Sequence, residues 1–577
     1  MSKPSLADYF QGAVLRVRQA ASDECHAMPI YRSVVFSGSA PLLQKPWPTR
    51  PFTPDSALGE EIAGGLFTLA GKRLFFSNIS DAWTKPTPSR AFASSLHRFC
   101  WLQDLAAFEA HEGIAEIARN HVDTWIGQYG RWNRFAWNPA ITAERCLAWL
   151  GASQFLFSGD AVATSTRLDS LGKQLRHLKS VASVCQAGET RLWVAIALSS
   201  AGTCLFGMRG LQKTSLTLLE KELAQQILSD GGHISRNPET ASRILLELET
   251  LRKLLDQHKA IEPPFLAKII QKLQPFVGFC TLMNGDLALF NGGGVGDKTA
   301  IRRALPATVK NETPFLLAPH SRYQRLQTRR SVLLFDCGGA PDGLYSQDAH
   351  AGGLSFVFGT RAENLIVNCG WSNGLGAQWR APSRTSAAHS TLVIDDVSSS
   401  RIPVKGLTTS LLGPILFDRE EPMTARRTED DGGVWLSASH REYVGRYGLQ
   451  HNRRLYLNRE GTDLRGEDCL EHPVGMEKSR DLQPIPFTVR FHLHPEVRAS
   501  ISRSASDVLL LPPGGKGWRF RTDAGPLSLE PSVYLGEGAP PRRSLQIVIS
   551  GAADPNGIGQ EPSNRVRWSL RQITPGT

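Results

Sequence analysis

Long apolar runs are missing from this 577-residue chain. The longest, "LWVAIAL" at 192–198, is far too short to span a bilayer. Its opening, "MSKPSLADYFQGAVLRVRQAASDE", has neither the continuous apolar stretch nor the small-residue cleavage site of a secretory signal. The chain as written therefore reads as cytoplasmic; a start codon assigned too far downstream would make periplasm or cell envelope the alternative. Cysteine is sparse and scattered, with nine residues and no CxxC. The odd count and wide spacing exclude a full disulfide framework and leave buried free thiols as the simplest expectation. No block of five like charges occurs, although the net charge is +11. No nucleic-acid-binding motif accompanies that charge, so nucleic acid is set aside and other polyanions are kept.

What is present changes period along the chain. From about 90 to 290 the spacing is helical. "ASRILLELETLRKLL" puts Ile244, Leu248, Leu251 and Leu255 on one face, and similar segments recur near 92–120, 140–157, 161–182, 188–205, 212–229 and 264–283. Helical hairpins in series, with no strands between them, predict paired helices in a bundle, solenoid or ring. After about 315 the period falls to two. "SVLLFD", "LSFVF", "NLIVN", "STLVI", "TVRFHL" and "LQIVI" are short, β-branched or aromatic, and separated by turn residues, which predicts an antiparallel sandwich. The expected organisation is a mixed segment 1–90, a helical domain 91–312 and a β-sandwich 313–577, with the boundary inside "NGGGVGDKTAIRRALPATVKNETP".

Five stretches carry candidate chemistry. "GGGVGDKT" lacks the Lys that must directly follow the last Gly of a phosphate loop, and reads as a flexible interdomain turn. "SDGGHISRNPETASR" crowds His233, Ser235, Arg236 and Asn237 ahead of Pro238. Asn237 suits a helix N-cap, while His233 and Arg236 could hold a carboxylate or sulfate. In "TVRFHLHP" the strand alternation puts Arg490, His492 and His494 on one side, either a half-exposed face or a shared metal site. "WRAPSRTSAAHSTLVIDD" sets Trp379, Arg380, Arg384 and His389 just before a strand. In "YSQDAHAGGLSFVFG", an extended backbone would point Asp348 and His350 the same way.

Taken in order, "DGGHISRNP", "RYQRL…LLFDCGG", "DAHAGGLSFVFG…LIVNCG", "WRAPSRTSAAHSTLVID" and "RFHLHP" resemble the heparinase II/III-like polysaccharide lyases of bacteria, from about residue 90 to the C-terminus. The resemblance implies an incomplete (α/α) toroid followed by an antiparallel β-sandwich. It also implies β-elimination on a uronate-containing, anionic polysaccharide. That reaction needs a cation or amide to neutralise the uronate carboxylate, a base for the adjacent proton and an acid for the leaving oxygen. A lyase on this scaffold would use a partly different set, with His233, Tyr323 or His492 as acid and base and Arg236, Arg380 or Arg384 neutralising the carboxylate. The candidate catalytic residues are His233, Arg236, Asn237, Tyr323, Asp348 and Arg384, with Trp379, Arg380, Arg490 and His492 as candidate substrate-binding residues. Zinc is the implied cofactor, held by His350, His389 and Asn368. The chain departs from the family at three of these points. Asp348 stands where a catalytic His is expected, Asn368 where an acidic zinc ligand is expected, and the catalytic Tyr of the helical motif falls at Thr240. The alternative expectation is a non-catalytic glycan-binding or structural protein on the lyase scaffold. A glycoside hydrolase, which needs two carboxylates across a cleft, finds no such pair in the sequence.

Overall fold

The computed structural model describes residues 6–573 except 46, 49–51, 109–112, 312–314, 373, 404, 417–423, 478–482, 515 and 560. The expected boundary between 312 and 313 lies outside the described residues. The order is nevertheless the expected one: helices through Ala307–Asn311, then strands from Leu317–Ala318 onward.

The helical part is a series of antiparallel hairpins, including Pro139–Gly151, Ala161–Val181, Glu189–Cys204, Arg209–Gln226, Pro238–Gln257 and Pro264–Cys280. Glu189–Cys204 is buried continuously from Leu192 to Cys204, as an inner helix covered on all sides must be. It packs against Pro139–Gly151, Arg209–Gln226 and Pro238–Gln257. The segment before residue 90 adds the long helix Leu6–Ala27 and a small hairpin, Leu66–Leu69 with Lys72–Phe75. No described helix is long and apolar enough to cross a membrane.

The remaining chain forms two stacked sheets, antiparallel throughout. The nine-stranded sheet has Ser331–Asp336, Phe356–Thr360, Asn364–Val367 and Ile485–Leu493 at its centre. The eight-stranded sheet runs from Thr424–Glu429 through Gly433–His440, Gln450–Asn458, Asp463–Glu471 and Arg565–Gln572 to three shorter strands. Leu333, Phe335, Phe356 and Phe358 face Leu436, Leu455, Phe520 and Trp568 across the sandwich core. Val332, Leu334 and Val357 point the opposite way and join the core of the helices. The nine-stranded sheet is thus covered on both faces, so Ser331–Asp336 is buried at every position.

That double coverage overturns one expectation. His492 and His494 do not lie on a half-exposed face; both are buried, because helices and loops cover the side they point to. The glycine-rich turn at 292–296 is also not a loose linker. Val295 N–H donates to the Gly536 carbonyl (2.9 Å), Gly294 N–H to the Glu239 carboxylate (2.8 Å) and Trp371 N–H to the Gly293 carbonyl (3.2 Å). A Cβ on Gly293 would lie 2.6 Å from Asn237 Oδ1, and one on Gly294 2.6 Å from the Gly536 carbonyl. Glycine is required there because three segments meet at backbone distance.

Candidate functional site

Between the helices and the loop ahead of Phe356–Thr360 lies a cleft of about 220 Å³. The helical side supplies Arg98, Glu144, Glu189, Trp193, His233 and Arg243; the sandwich side supplies Tyr345 and Asp348. Of the residues expected from sequence, only His233 and Asp348 line it. Tyr345, Glu144, Glu189 and Arg243 come from separate elements; Tyr345 and Arg243 stand at the ends of two of the candidate stretches, and Glu144 and Glu189 lie outside all of them.

His233 is fully buried behind the cleft wall. Its Nε2 lies 3.0 Å from Gln226 Oε1, an acceptor, so Nε2 carries the proton; Nδ1 then accepts from the Ser235 hydroxyl at 2.7 Å. Burial drops its pKa to about 4, and it is neutral at pH 7. Tyr345 meets it edge-on at 6.5 Å, and burial raises the phenol above its usual 10, with Glu222 adding to the rise. Arg243 stacks on Trp193 (4.8 Å) and faces Glu144 at 4.0 Å, which also faces Arg98 at 3.7 Å. Glu189 accepts from the Thr240 hydroxyl at 3.0 Å. Three carboxylates, Glu144, Glu189 and Asp348, therefore line the cleft against two guanidinium groups.

The other expected catalytic residues are bonded within the protein, Arg236 and Tyr323 across its two parts and Asn237 and Arg384 within one part each. Arg236 sits in the left-handed region (φ 60°) and is buried. Its Nε donates to the Ser321 carbonyl (2.9 Å), one terminal nitrogen to the Gly339 carbonyl (2.7 Å) and the other to the Asp336 carboxylate, while the guanidinium stacks 4.7 Å from the Tyr323 ring. Every face of this arginine is engaged. Tyr323 is buried; its hydroxyl donates to the Arg236 carbonyl (2.5 Å) and accepts from Asn291 (2.8 Å), and burial lifts its pKa well above 10. Asn237 caps Pro238–Gln257, its Oδ1 accepting from the N–H groups of Glu239 and Thr240 at 2.9 and 3.3 Å. Arg384 is buried and donates to the carbonyls of Ala349 (2.8 Å) and Ser346 (2.9 Å).

Nor do the expected substrate-binding residues converge. Half-buried Trp379 packs beside Trp371, Leu375 and Leu535. Arg380 pairs with Asp348 and stacks 5.0 Å from the Trp371 ring. Arg490 faces Asp396 (3.4 Å) and Glu530 (3.6 Å) on the sandwich. His492 lies between the Ser532 hydroxyl (2.8 Å) and the Ala387 carbonyl (3.0 Å), with burial lowering its pKa to about 3. Asp348 and His350 diverge, because a 3₁₀ turn at Gly343–Ser346 and a loop precede the strand: Asp348 reaches the cleft and His350 turns inward.

The proposed zinc ligands are adjacent in part. His389 Nδ1 donates to the Thr385 carbonyl (2.7 Å), which leaves its Nε2 to accept from His350 Nδ1 at 3.1 Å. His350 Nε2 is buried with no hydrogen-bond partner. Asn368 is unavailable as a ligand: its amide donates to the Leu289 carbonyl (2.9 Å), and its oxygen accepts from Ser390 N–H (2.9 Å). Among the described residues no three His, Cys, Asp or Glu side chains converge on one point. Two imidazoles bonded to each other, without a carboxylate or thiolate, do not fit a zinc centre, which takes three or four protein ligands.

A family model for the heparinase II/III-like C-terminal region matches residues 310–569. A crystal structure of heparinase III superposes with a TM-score of 0.67 at 15% identity, covering 97% of this chain and 91% of that one. Heparan sulfate lyase HepC from Pedobacter heparinus gives 0.55 at 14% identity, with 98% and 88% covered. With the helical ring, the stacked sheets and the cleft between them, these matches identify the chain as a member of the heparinase II/III-like family. A curated protein of Caulobacter vibrioides (strain NA1000 / CB15N), FtsZ-localized protein C, is 35% identical over 537 residues, 92% of this chain and 90% of that protein.

Proposed function

We propose that the chain is a binding and localisation protein built on the polysaccharide-lyase scaffold, with no β-elimination activity in its interdomain cleft. The observation that carries this reading is the engagement of Arg236, Arg384, Tyr323 and His492 with protein partners. A uronate substrate needs its carboxylate neutralised and a base that titrates near the working pH. The cleft offers it three carboxylates, a neutral histidine with both nitrogens bonded, and a tyrosine held protonated. At about 220 Å³ it is also smaller than ordinary small-molecule pockets, which run roughly 300–1,000 Å³. The near full-length similarity to FtsZ-localized protein C supports a role alongside FtsZ.

The test is sedimentation of the purified full chain with and without polymerised FtsZ from the same cell. The chain is expected to pellet only with polymer; equal pelleting without it removes the localisation role. In parallel, heparan-type chains and alginate are expected to yield no ultraviolet-absorbing unsaturated ends. A second reading, an active lyase on an acidic glycan, is favoured by the edge-on approach of His233 and Tyr345 at the cleft. Its mark would be such absorbance, abolished by Tyr345→Phe.

A further inference from the structure

The outer face of the eight-stranded sheet carries a surface of opposite character to the cleft. Register places side chains of alternate residues in rows across it. One row reads Arg426, Ser437, Arg454, Glu467, Arg567 over five neighbouring strands. The next reads Trp435, Tyr456, Arg465, Ser569, Arg521. Two grooves of about 640 and 480 Å³ run along these rows and share Arg454, Glu467 and Arg567. With Arg565, they hold six outward arginines; Glu467, Glu471 and Asp523 line the grooves beside them, and Asp463 and Asp507 at the edge pair with Arg465 (2.7 Å) and Arg521 (3.6 Å).

The guanidinium groups are pre-positioned. Arg454 lies 4.9 Å from the Trp435 ring centroid and Arg465 5.6 Å from that of Tyr456, and the two rings are 4.7 Å apart. Stacking fixes each guanidinium plane; the edge of Arg465 already donates to Asp463 (2.7 and 3.0 Å), whereas Arg454 has only the longer approach to Glu467. Glu467 lies 2.9 Å from Arg567 and 3.8 Å from Arg454. One acid between two exposed arginines is a weak, screened interaction, and the row stays positive.

We propose that this face is a docking surface for an acidic, extended polypeptide segment. The proposal rests on the binding-protein reading above and locates the partner on the sheet rather than in the cleft. Three features select a polypeptide. Trp, Tyr and Arg are the side chains that dominate protein–protein contacts. Arg454 and Arg465 each cover one face of Trp435 and Tyr456, which reduces the aromatic surface on which a sugar ring could stack. Spacing matches as well: Arg426, Arg454 and Arg567 are two strands apart in turn, roughly 9.6 Å, and three residues of extended polyproline-II chain advance about 9.3 Å and bring the side chain back to the same face. A segment with an acidic residue at every third position, laid across the strands, would meet each arginine.

The experiment is calorimetric titration of the full chain with poly-L-glutamate at two salt concentrations, repeated with heparin fragments, duplex DNA and phosphatidylglycerol vesicles. Wild type is expected to bind poly-L-glutamate. The double variant R426Q/R567Q should bind about tenfold more weakly, with a salt slope lower by about 2, while R302Q/R303Q, the same charge change on an exposed helix, binds as wild type. Unchanged melting of each variant establishes that it is folded. Absence of poly-L-glutamate binding, an equal loss in R302Q/R303Q, or tighter binding of heparin, DNA or vesicles through the same arginines would each overturn the assignment. FtsZ sedimentation that survives R426Q/R567Q removes this surface but leaves the localisation role intact.

Discussion

His350 Nδ1 donates to His389 Nε2 at 3.1 Å, and both imidazoles are buried and neutral. Burial brings His389 to about 4; His350 falls well below its usual 6.5, first through burial and then because a proton on it would be repelled by a protonated His389 and by the Arg384 guanidinium. His233 and His492, at about 4 and 3, behave alike. A lowered folded pKa means the unfolded chain binds more protons between about 4 and 6.5. Stability is therefore fully present above pH 6.5 and is lost as pH falls through that window, by about 1.4 kcal/mol per pH unit for each such histidine. Thermal melting should fall steeply from pH 7 to pH 5. The variant H350Q/H389Q should be less stable at pH 7 and show a shallower decline, and an identical slope would show that this pair does not set the acid limit.

Arg236 joins the helical loop to the nine-stranded sheet through two carbonyls and Asp336. Both members of the ion pair are buried, so removing one strands the other charge. Arg236→Ala should cost about 3–5 kcal/mol. Denaturant unfolding gives the measurement. A variant of wild-type stability with weakened polyanion binding would return Arg236 to the ligand-binding role its motif suggested.

Gly338 offers an independent check on the same strut. A Cβ there would lie 2.4 Å from the Arg236 guanidinium. Gly338→Ala should displace that group and destabilise the chain, whereas Gly339→Ala, whose Cβ meets nothing nearer than 4.0 Å, should be nearly neutral in the same assay. Equal effects would mean that the arginine yields easily and the contact is slack.

These residues also mark how far the sequence could be read. "ASRILLELETLRKLL" and "SVLLFD" disclosed their elements because periodicity is local, and Asn237 disclosed its cap because Pro238 followed it. The partners of Arg236 lie 85 to 103 residues away, beyond any periodic signal. A charged side chain in a loop motif looks the same whether it faces solvent or a carbonyl in another domain. The strand "TVRFHL" failed for a related reason: alternation tells the two faces apart but not whether the second face is covered. Cleft residues such as Glu144 and Arg243 sit on different helices and meet only in the folded chain.

Metal content is the last point on which motif and geometry differ. Asn368 occupies the position of an acidic zinc ligand, but both ends of its amide are bonded to backbone, to the Leu289 carbonyl and Ser390 N–H. The neutral amide satisfies a donor and an acceptor at once, which a carboxylate could not do. Purified protein should accordingly contain well under one zinc per chain. Asn368→Asp, which restores the motif, should gain no zinc. It should instead lose about 1–3 kcal/mol, because an ionised oxygen would face a buried carbonyl. Metal analysis and melting with and without added zinc decide the matter. One tightly held zinc in either protein, lost on His350→Ala, would show that the histidine pair opens to admit the ion and that the motif outweighs the packing.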